Sequence, residues 1–283
     1  MLATVQPNAQ IVGRTIFFPP EELDELNEPR LIFTPDENNH YADVGAGYPV
    51  YDGEALVEFA GRACYQSFHK PNPKTASNEG YLAHILETGH GSVLEHASVS
   101  IYITGVSRAF THELIRHRHF SFSELSQRFV NMAEANKVIP PLFEQMWEDH
   151  WNPSRVLGDG EDAETEKFFA PFSVSDALST KAYEELVERG IAYLKDVHSI
   201  TGFAARKKAN EMARAIMPSM VETRIVVTGN YRAWMGFLTK REDPAADAEI
   251  RRGAEMIADL LEEEAPSIFG SVRDQWRDHG TLL

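Results

Sequence analysis

The most informative stretch of the sequence is Arg116-His117-Arg118-His119-Phe120-Ser121-Phe122-Ser123-Glu124-Leu125-Ser126-Gln127-Arg128. It contains three arginines, two histidines and three serines but one acidic residue, within a 283-residue chain of net charge −16. Guanidinium groups match phosphate oxygens in bidentate pairs, and serine hydroxyls add neutral donors. Such a cluster in an acidic protein indicates a site for a small anion, because the surrounding negative charge would repel a long polyanion.

A purely structural interpretation of this stretch is the alternative. Arginines at a helix C-terminus complement the helix dipole, and a serine-capped turn can follow them. That interpretation accounts for one arginine but not for three. Further cations at Arg224, Arg232 and Arg241 lie on or just after a β-branched stretch, although single arginines often extend from apolar surface into solvent.

The composition is that of an ordinary globular protein, with 43% hydrophobic and 25% charged residues. The excess of acidic over basic residues argues against binding to nucleic acid or to an anionic membrane. One cysteine, Cys64, leaves no internal disulfide and no four-cysteine zinc site, so we expect a reducing, cytoplasmic location. The N-terminus does not resemble a signal peptide, and no stretch approaches the roughly 20 apolar residues that span a bilayer.

The hydrophobic spacing predicts an α+β fold, because the strands are few and lack short βαβ spacing. Helical spacing begins at Glu54 and places Cys64 on an apolar helix face. Ser107 is a candidate N-cap for a helix that leads to Arg116. The other predicted helices cover about 77–88, 175–197, 204–217, 231–240 and 247–264, and the predicted strands cover about 11–18, 98–104 and 221–228.

The predicted domain organisation is simple. Residues 1–53 are proline-rich and acidic, which indicates an irregular N-terminal extension that packs on the core. Residues 54–283 form a single catalytic domain, with an acidic surface insertion near 144–170 that is rich in glycine, proline and aspartate.

Other motifs carry less information. The stretch His90-Gly91-Ser92-Val93-Leu94-Glu95-His96 contains the S-x-x-E pattern of a capping box. His112, His117 and His119 fit no familiar metal-binding spacing, and the neighbouring arginines would repel a cation, so no metal site is predicted. The chain has neither a G-x-G-x-x-G fingerprint after a strand nor a P-loop.

Taken together, these residues resemble the flavin-dependent thymidylate synthases, and actinobacterial members in particular. The signature is Arg116-His117-Arg118, then seven residues, then Ser126, with Arg128 two positions further on. Three more groups support the resemblance: Arg62-Ala63-Cys64-Tyr65-Gln66-Ser67, Gly89 to His96, and Glu222-Thr223-Arg224 with Gly229-Asn230-Tyr231-Arg232. The resemblance covers about 54–128 and 204–252.

The resemblance implies a specific reaction and assembly. Enzymes of this family methylate dUMP to dTMP, with carbon from methylenetetrahydrofolate and reducing equivalents from NADPH through bound FAD. They are homotetramers with active sites built between subunits, and their mixed helix-and-antiparallel-sheet fold differs from that of the thiol-dependent synthases. Because Cys64 matches no nucleophile motif, the resemblance implies no cysteine adduct.

The resemblance also implies the site residues. The catalytic residue is Arg241, which binds the uracil and favours ionisation at its N3. The dUMP contacts are Glu113, Leu114, Ile115, Arg116, Glu124, Leu125, Ser126, Gln127, Arg128, Arg224 and Arg241, with Ser126 and Arg128 at the phosphate and Arg224 reaching in from another subunit. The FAD contacts are Ser92, Arg116, His117, Arg118, Glu124, Asn230, Tyr231 and Arg232.

Three positions depart from the family pattern. Ser123 stands where many members have asparagine, Ala245 where some have histidine, and Gly236 where others have a polar flavin contact. One alternative is therefore a non-catalytic nucleotide-binding protein that retains the dUMP pocket. A second alternative, a metal-dependent phosphohydrolase that uses the histidines, lacks the carboxylate spacing to hold a metal.

Overall fold

The computed structural model describes residues 4–18, 33–35, 41–43, 49–68, 72–151, 163–270 and 273. The described helices are α1 (Asp52–Tyr65), α2 (Asn78–Glu87), α3 (Arg108–Leu114), α4 (Pro141–Met146), α5 (Ala163–His198), α6 (Gly202–Ala213), α7 (Tyr231–Arg241) and α8 (Ala248–Glu264). The described strands are β1 (Asn8–Arg14), β2 (Phe33–Pro35), β3 (Tyr41–Asp43), β4 (Pro49–Val50), β5 (Ser98–Ser107), β6 (Ser121–Glu124) and β7 (Glu222–Asn230). This mixture confirms the predicted α+β class. None of these helices combines the length and apolar character needed to cross a membrane.

The main sheet has four strands in the order β1-β5-β7-β6. Strand β5 buries Val99, Ile101 and Ile103 in alternation, as its β-branched pattern predicts. The predicted strand 221–228 is observed as β7, and the strand expected near 11–18 is observed slightly earlier, as β1. The sequence does not predict the short strand β6, which lies at the edge of this sheet.

Three short strands lie in the N-terminal region, where the sequence predicts irregular structure apart from one strand. Strands β2, β3 and β4 form an antiparallel sheet in which Phe33 pairs with Asp43 and Tyr41 with Val50. Strands of two or three residues are too short to leave a periodic hydrophobic pattern, which is why the sequence does not reveal them. The prediction that residues 1–53 pack on the core as an extension stays a prediction.

The chain divides into two compact units. The first unit comprises Met1–Asn8, Ile103–Arg116 and Ser123–Ile225, and the second comprises Ala9–Tyr102, His117–Phe122 and Val226–Leu283. In the first unit, α5 and α6 build a hydrophobic core that includes Tyr183, Val187 and Ala209. In the second unit, α7 buries Trp234 and Phe237, and the Trp234 ring lies 4.5 Å from the ring of Phe120.

Polar side chains cap the helices where the sequence predicts helix starts. Ser77 Oγ accepts a hydrogen bond from the Gly80 amide at 3.1 Å, and Ser107 Oγ accepts one from the Phe110 amide at 3.1 Å. Asn230 and Asp247 cap α7 and α8 in the same way. These caps fix where the helices that carry the candidate site begin.

The prediction that Cys64 lies on a buried face of α1 is wrong, because the thiol is exposed. The buried face of α1 carries an ion pair instead: Arg62 Nε lies 2.5 Å from Glu58 Oε1, and both side chains are buried. Asn78 Nδ2 donates to the same carboxylate at 2.8 Å. The buried face of α1 therefore includes charged residues that hydrophobic spacing does not identify as buried.

The acidic insertion predicted near 144–170 lies partly outside the described residues, at 152–162. The described part that precedes this gap is not confined to the surface, since Trp147 is 1% exposed. The Trp147 ring lies 5.1 Å from the Phe168 ring and 5.3 Å from the Phe169 ring. Helix α5, predicted from 175, accordingly begins at Ala163 and includes both phenylalanines.

Candidate active site

The first unit holds three of the predicted guanidinium groups, and all three reach solvent. The exposed side-chain fraction is 68% for Arg116, 52% for Arg224 and 41% for Arg128. Guanidinium groups with this exposure remain accessible to an anionic ligand from solvent.

Glu124, the last residue of β6, is the best-connected carboxylate of this region. Its Oε1 accepts hydrogen bonds from Thr111 Oγ1 at 2.7 Å and Thr223 Oγ1 at 3.2 Å, and it lies 2.8 Å from Arg108 Nη1. These contacts come from α3 and β7, so β6 is held firmly at its C-terminal end. The segment that follows Glu124 carries Ser126 and Arg128, and it therefore begins at a residue whose position is fixed.

Helix α6 holds Arg128. Arg128 Nε lies 2.7 Å from Glu211 Oε2, and the Arg128 carbonyl accepts a hydrogen bond from Asn210 Nδ2 at 3.3 Å. Two adjacent residues of one helix thus hold both the side chain and the backbone of this arginine.

Arg224 lies on β7 beside Leu125, which precedes the predicted phosphate contacts Ser126 and Arg128. Its carbonyl accepts a hydrogen bond from the Leu125 amide at 2.8 Å, and its Nε lies 3.4 Å from Glu222 Oε1. Glu222 is buried and accepts a hydrogen bond from Asn136 Nδ2 at 2.7 Å. The backbone of Arg224 is therefore fixed, while its guanidinium group extends into solvent.

The remaining predicted dUMP residues divide by burial. Leu114 is fully buried, so its side chain packs in the core rather than against a ligand, whereas Ile115 is exposed. Glu113 Oε1 lies 3.4 Å from Arg116 Nη1, a long contact between partly exposed groups. The Ser126 carbonyl closes a turn by accepting the amide of Phe129 at 3.1 Å. Gln127 is half-buried in the same turn.

In the second unit, Arg241 contacts His117 directly. Arg241 Nε donates a hydrogen bond to His117 Nε2 over 2.9 Å. Because Nε2 accepts, the imidazole is neutral and carries its proton on Nδ1. The His117 ring packs edge-on against Phe237, with ring centroids 5.1 Å apart. The signature histidine thus holds the predicted catalytic arginine in place.

A second group of predicted flavin residues surrounds the start of α7. Arg232 Nη1 lies 2.6 Å from Glu95 Oε1, and Asn230 Oδ1 caps α7 by accepting the Ala233 amide at 2.9 Å. Ser92 is exposed in the short 3-10 helix Gly91–Glu95. The N-cap of that helix is His90, so the capping box indicated by S-x-x-E is wrong, and Glu95 pairs across to α7 instead. Arg118 is also exposed.

Tyr231, also predicted as a flavin contact, points into the core. The residue is 0% exposed, and its ring lies 5.4 Å from that of Phe269. Burial raises the pKa of its phenol well above the ordinary value, and the carboxylates of Glu264 and Glu54 add to that rise. The side chain of Tyr231 therefore packs in the core, and the predicted contact between Tyr231 and FAD, which stays a prediction, would use its backbone.

Sequence reasoning misses several residues that shape this region. Arg108, Thr111 and Thr223 surround Glu124, while Asn210 and Glu211 hold Arg128. Each of these residues contacts a residue that is not its neighbour along the chain, so local sequence spacing does not indicate its role. Of these residues, only Thr223 lies inside a recognised sequence motif, Glu222-Thr223-Arg224.

Metal-binding geometry is not observed in the part of the chain that the structure describes. No three His, Cys, Asp or Glu side chains there are grouped as a metal ion would require. His117, one of the histidines considered for metal binding, instead accepts a hydrogen bond from Arg241.

Comparisons with known proteins match most of the chain. The sequence model of the Thy1 family, "Thymidylate synthase complementing protein", matches residues 49–267. A flavin-dependent thymidylate synthase from Mycobacteroides abscessus is 44% identical over 95% of this chain and 91% of its own length. Flavin-dependent thymidylate synthases from Mycobacterium avium and Mycobacterium tuberculosis are 51% and 49% identical, each over 77% of this chain and 78% of its own length. Because the family model and these relatives both extend over most of the sequence, the chain belongs to the Thy1 family of flavin-dependent thymidylate synthases.

Proposed function

We propose that the protein is a methyltransferase that converts dUMP to dTMP, with carbon from methylenetetrahydrofolate and reducing equivalents from NADPH through FAD. The observation that carries this proposal is the exposed arginine set of the first unit, in which Arg116, Arg128 and Arg224 pair with Glu113, Glu211 and Glu222 in a strongly acidic chain. A nucleoside monophosphate supplies the compact dianion that such a set can bind.

The nucleotide phosphate is assigned to Arg128, Ser126 and Arg224. The Arg128 guanidinium group offers a planar set of hydrogen-bond donors, and its Nε lies against Glu211 of α6. Ser126 adds a hydroxyl from the adjacent turn. Arg224 is proposed to act in the site of another subunit, and its 52% exposure leaves its guanidinium group accessible for that role. Glu113, Ile115, Arg116, Glu124, Leu125 and Gln127 remain the other proposed dUMP contacts, and Leu114 can take part only through its backbone.

The second unit has features that fit FAD. A Cβ added at Gly236, one turn along α7 from Arg232, would meet no atom within 4 Å, so there is open space on that helix. Ser92, Arg118 and Arg232 offer exposed donors of the kind that bind a pyrophosphate. The other proposed contacts are Arg116, His117, Glu124, Asn230 and, through its backbone, Tyr231. When bound, FAD supplies the hydride that it receives from NADPH.

Arg241 is the proposed catalytic residue. A fixed guanidinium group beside the uracil stabilises negative charge that develops on the ring, and a positioned cation of this kind lowers the barrier without reorganisation. The hydrogen bond to His117 Nε2 fixes the Nε end of Arg241. Because that imidazole is neutral, it holds the arginine without adding a competing positive charge.

The first expected result concerns the flavin itself. Purified protein is expected to be yellow, with flavin absorbance that bleaches when NADPH and dUMP are added anaerobically. Absorbance spectroscopy before and after each addition measures this directly. The non-catalytic alternative predicts that dUMP binds without bleaching, and a colourless protein that FAD cannot reconstitute would contradict the flavoenzyme proposal.

The proposal also includes a homotetramer in the cytoplasm. Large apolar side chains are exposed on α5, including Val174, Leu178 and Val197, and a subunit interface would bury such groups. The lone cysteine is a free, exposed thiol, which suits a reducing compartment.

A further inference from the structure

One face of α6 contacts the short segment Arg128–Phe129. Phe203, Lys207, Asn210 and Glu211 follow helical spacing and contact this segment in turn. The Phe203 ring lies 5.9 Å from the Phe129 ring, and Lys207 Nζ lies 4.5 Å from the centre of that ring. Asn210 holds the Arg128 carbonyl, and Glu211 holds the Arg128 side chain. The helix therefore contacts the segment from its backbone to the Nε of its arginine.

Glu211 lies on the Nε side of the Arg128 guanidinium group. Arg128 Nε is buried and makes no hydrogen bond, and Glu211 Oε2 lies 2.7 Å from it as an ion-pair partner. The 41% exposure of the side chain therefore comes from its other atoms. A guanidinium group is planar, so an ion pair with a carboxylate on its Nε side favours the orientation in which the outer pair of nitrogens faces away from that carboxylate. A phosphate can be bound in bidentate fashion by that outer pair.

The ion pair is too exposed to be explained by its contribution to folding. Glu211 is 49% exposed and Arg128 41%, and exposed ion pairs contribute little to stability. The buried pair of Glu58 and Arg62 differs in this respect, because removing one partner there strands a buried charge.

We infer that Glu211 is a positioning residue that orients Arg128 for the nucleotide phosphate. This inference rests on the proposed function, in which Arg128 binds that phosphate. The opposite role would be competition, in which the Glu211 carboxylate occupies the position of the phosphate and is displaced when the nucleotide binds. The burial of Nε argues for positioning, because a phosphate approaching from solvent meets the outer nitrogens first.

The test compares Glu211→Ala and Glu211→Gln with a matched control, Glu185→Gln. Glu185 forms an exposed ion pair with Arg189 on α5 of the same unit. Isothermal titration of the FAD-loaded enzyme gives the Kd for dUMP and for deoxyuridine, which lacks the phosphate. We expect Glu211→Ala to raise the dUMP Kd roughly tenfold, within the usual range of coupling between contacting residues. Glu211→Gln keeps the size of the side chain but not the charge that pairs with Arg128, so it should recover only part of that loss.

The positioning role makes four further demands. The deoxyuridine Kd and kcat at saturating dUMP should stay at their wild-type values, and the melting temperature should change no more than in the Glu185→Gln control. In the background of Arg128→Ala, the Glu211 substitution should have no additional effect, because it acts through Arg128.

Two kinds of failure are distinguishable. If Arg128→Ala weakens dUMP binding but Glu211→Ala leaves it unchanged, tightens it, or weakens deoxyuridine equally, Glu211 does not position the arginine and the inference is overturned. If Arg128→Ala itself leaves dUMP affinity unchanged, the phosphate assignment of the proposed function is what fails. Should Glu211→Ala not fold, Glu211→Gln still decides, since a Kd equal to or below that of wild type contradicts positioning.

Discussion

Replacing Arg241 with alanine is expected to lower the rate of dTMP formation about 100-fold to 1000-fold, the usual loss when a preorganised charge-stabilising group is removed. The reason is that Arg241 is the proposed cation at the uracil, held at Nε by His117. NADPH oxidation by the flavin does not require charge stabilisation on the uracil, so it should fall much less. Stopped-flow absorbance gives the flavin reduction rate, and product chromatography gives turnover.

The controls for Arg241 separate its charge from its packing. Arg251→Ala removes an arginine of the same unit whose Nη1 contacts the Pro244 carbonyl at 3.3 Å, and it should leave both rates near wild type. Arg241→Lys retains the charge but loses the planar donor to His117, so turnover should lie between the wild-type and alanine values. Equal losses of turnover and flavin reduction in Arg241→Ala would contradict a role at the uracil.

Replacing Arg128 with alanine is expected to weaken dUMP binding by roughly 2–4 kcal/mol, about 30-fold to 1000-fold in Kd, as expected when one partner of a desolvated charge pair is truncated. Arg128 is partly exposed in the free chain, and we expect the nucleotide to cover it and strengthen the interaction by excluding water. Titration calorimetry on the FAD-loaded variant measures the change.

Arg189→Ala is the matched control for Arg128, because Arg189 is an exposed, ion-paired arginine of the same unit and lies outside the proposed site. Its dUMP affinity should equal that of the wild type. If Arg128→Ala binds dUMP as tightly as this control does, Arg128 does not bind the phosphate.

Local signals in the sequence predict much of the scaffold. Ser107 is recognisable as a cap because a hydroxyl before a helical run satisfies a free amide, and the Phe110 amide is the one it accepts. Alternation in β5 is equally local. Strand β6 is different: its four residues form a strand because β7 pairs with them, and that partner lies about a hundred residues away along the chain.

The same distinction separates the predicted from the unpredicted parts of the candidate site. Tyr231 and Arg232 are adjacent in a quoted motif, but neighbours on a helix point about 100° apart, so one is buried and the other exposed. In the sequence, Glu211 is an ordinary acidic residue of α6, and its contact with Arg128 is seen only in the folded structure. Motifs thus locate the charged residues, whereas the residues that orient them follow from tertiary contacts.

The central claim is that an arginine site in this acidic chain binds a deoxyuridine monophosphate in the presence of FAD. Titration of dUMP into the FAD-loaded wild-type protein, followed by calorimetry, tests it most directly. We predict saturable binding that is much tighter than that of deoxyuridine, since the phosphate contributes through Arg128. Absence of any binding heat over a range of temperatures, with the flavin fully loaded, would contradict the claim.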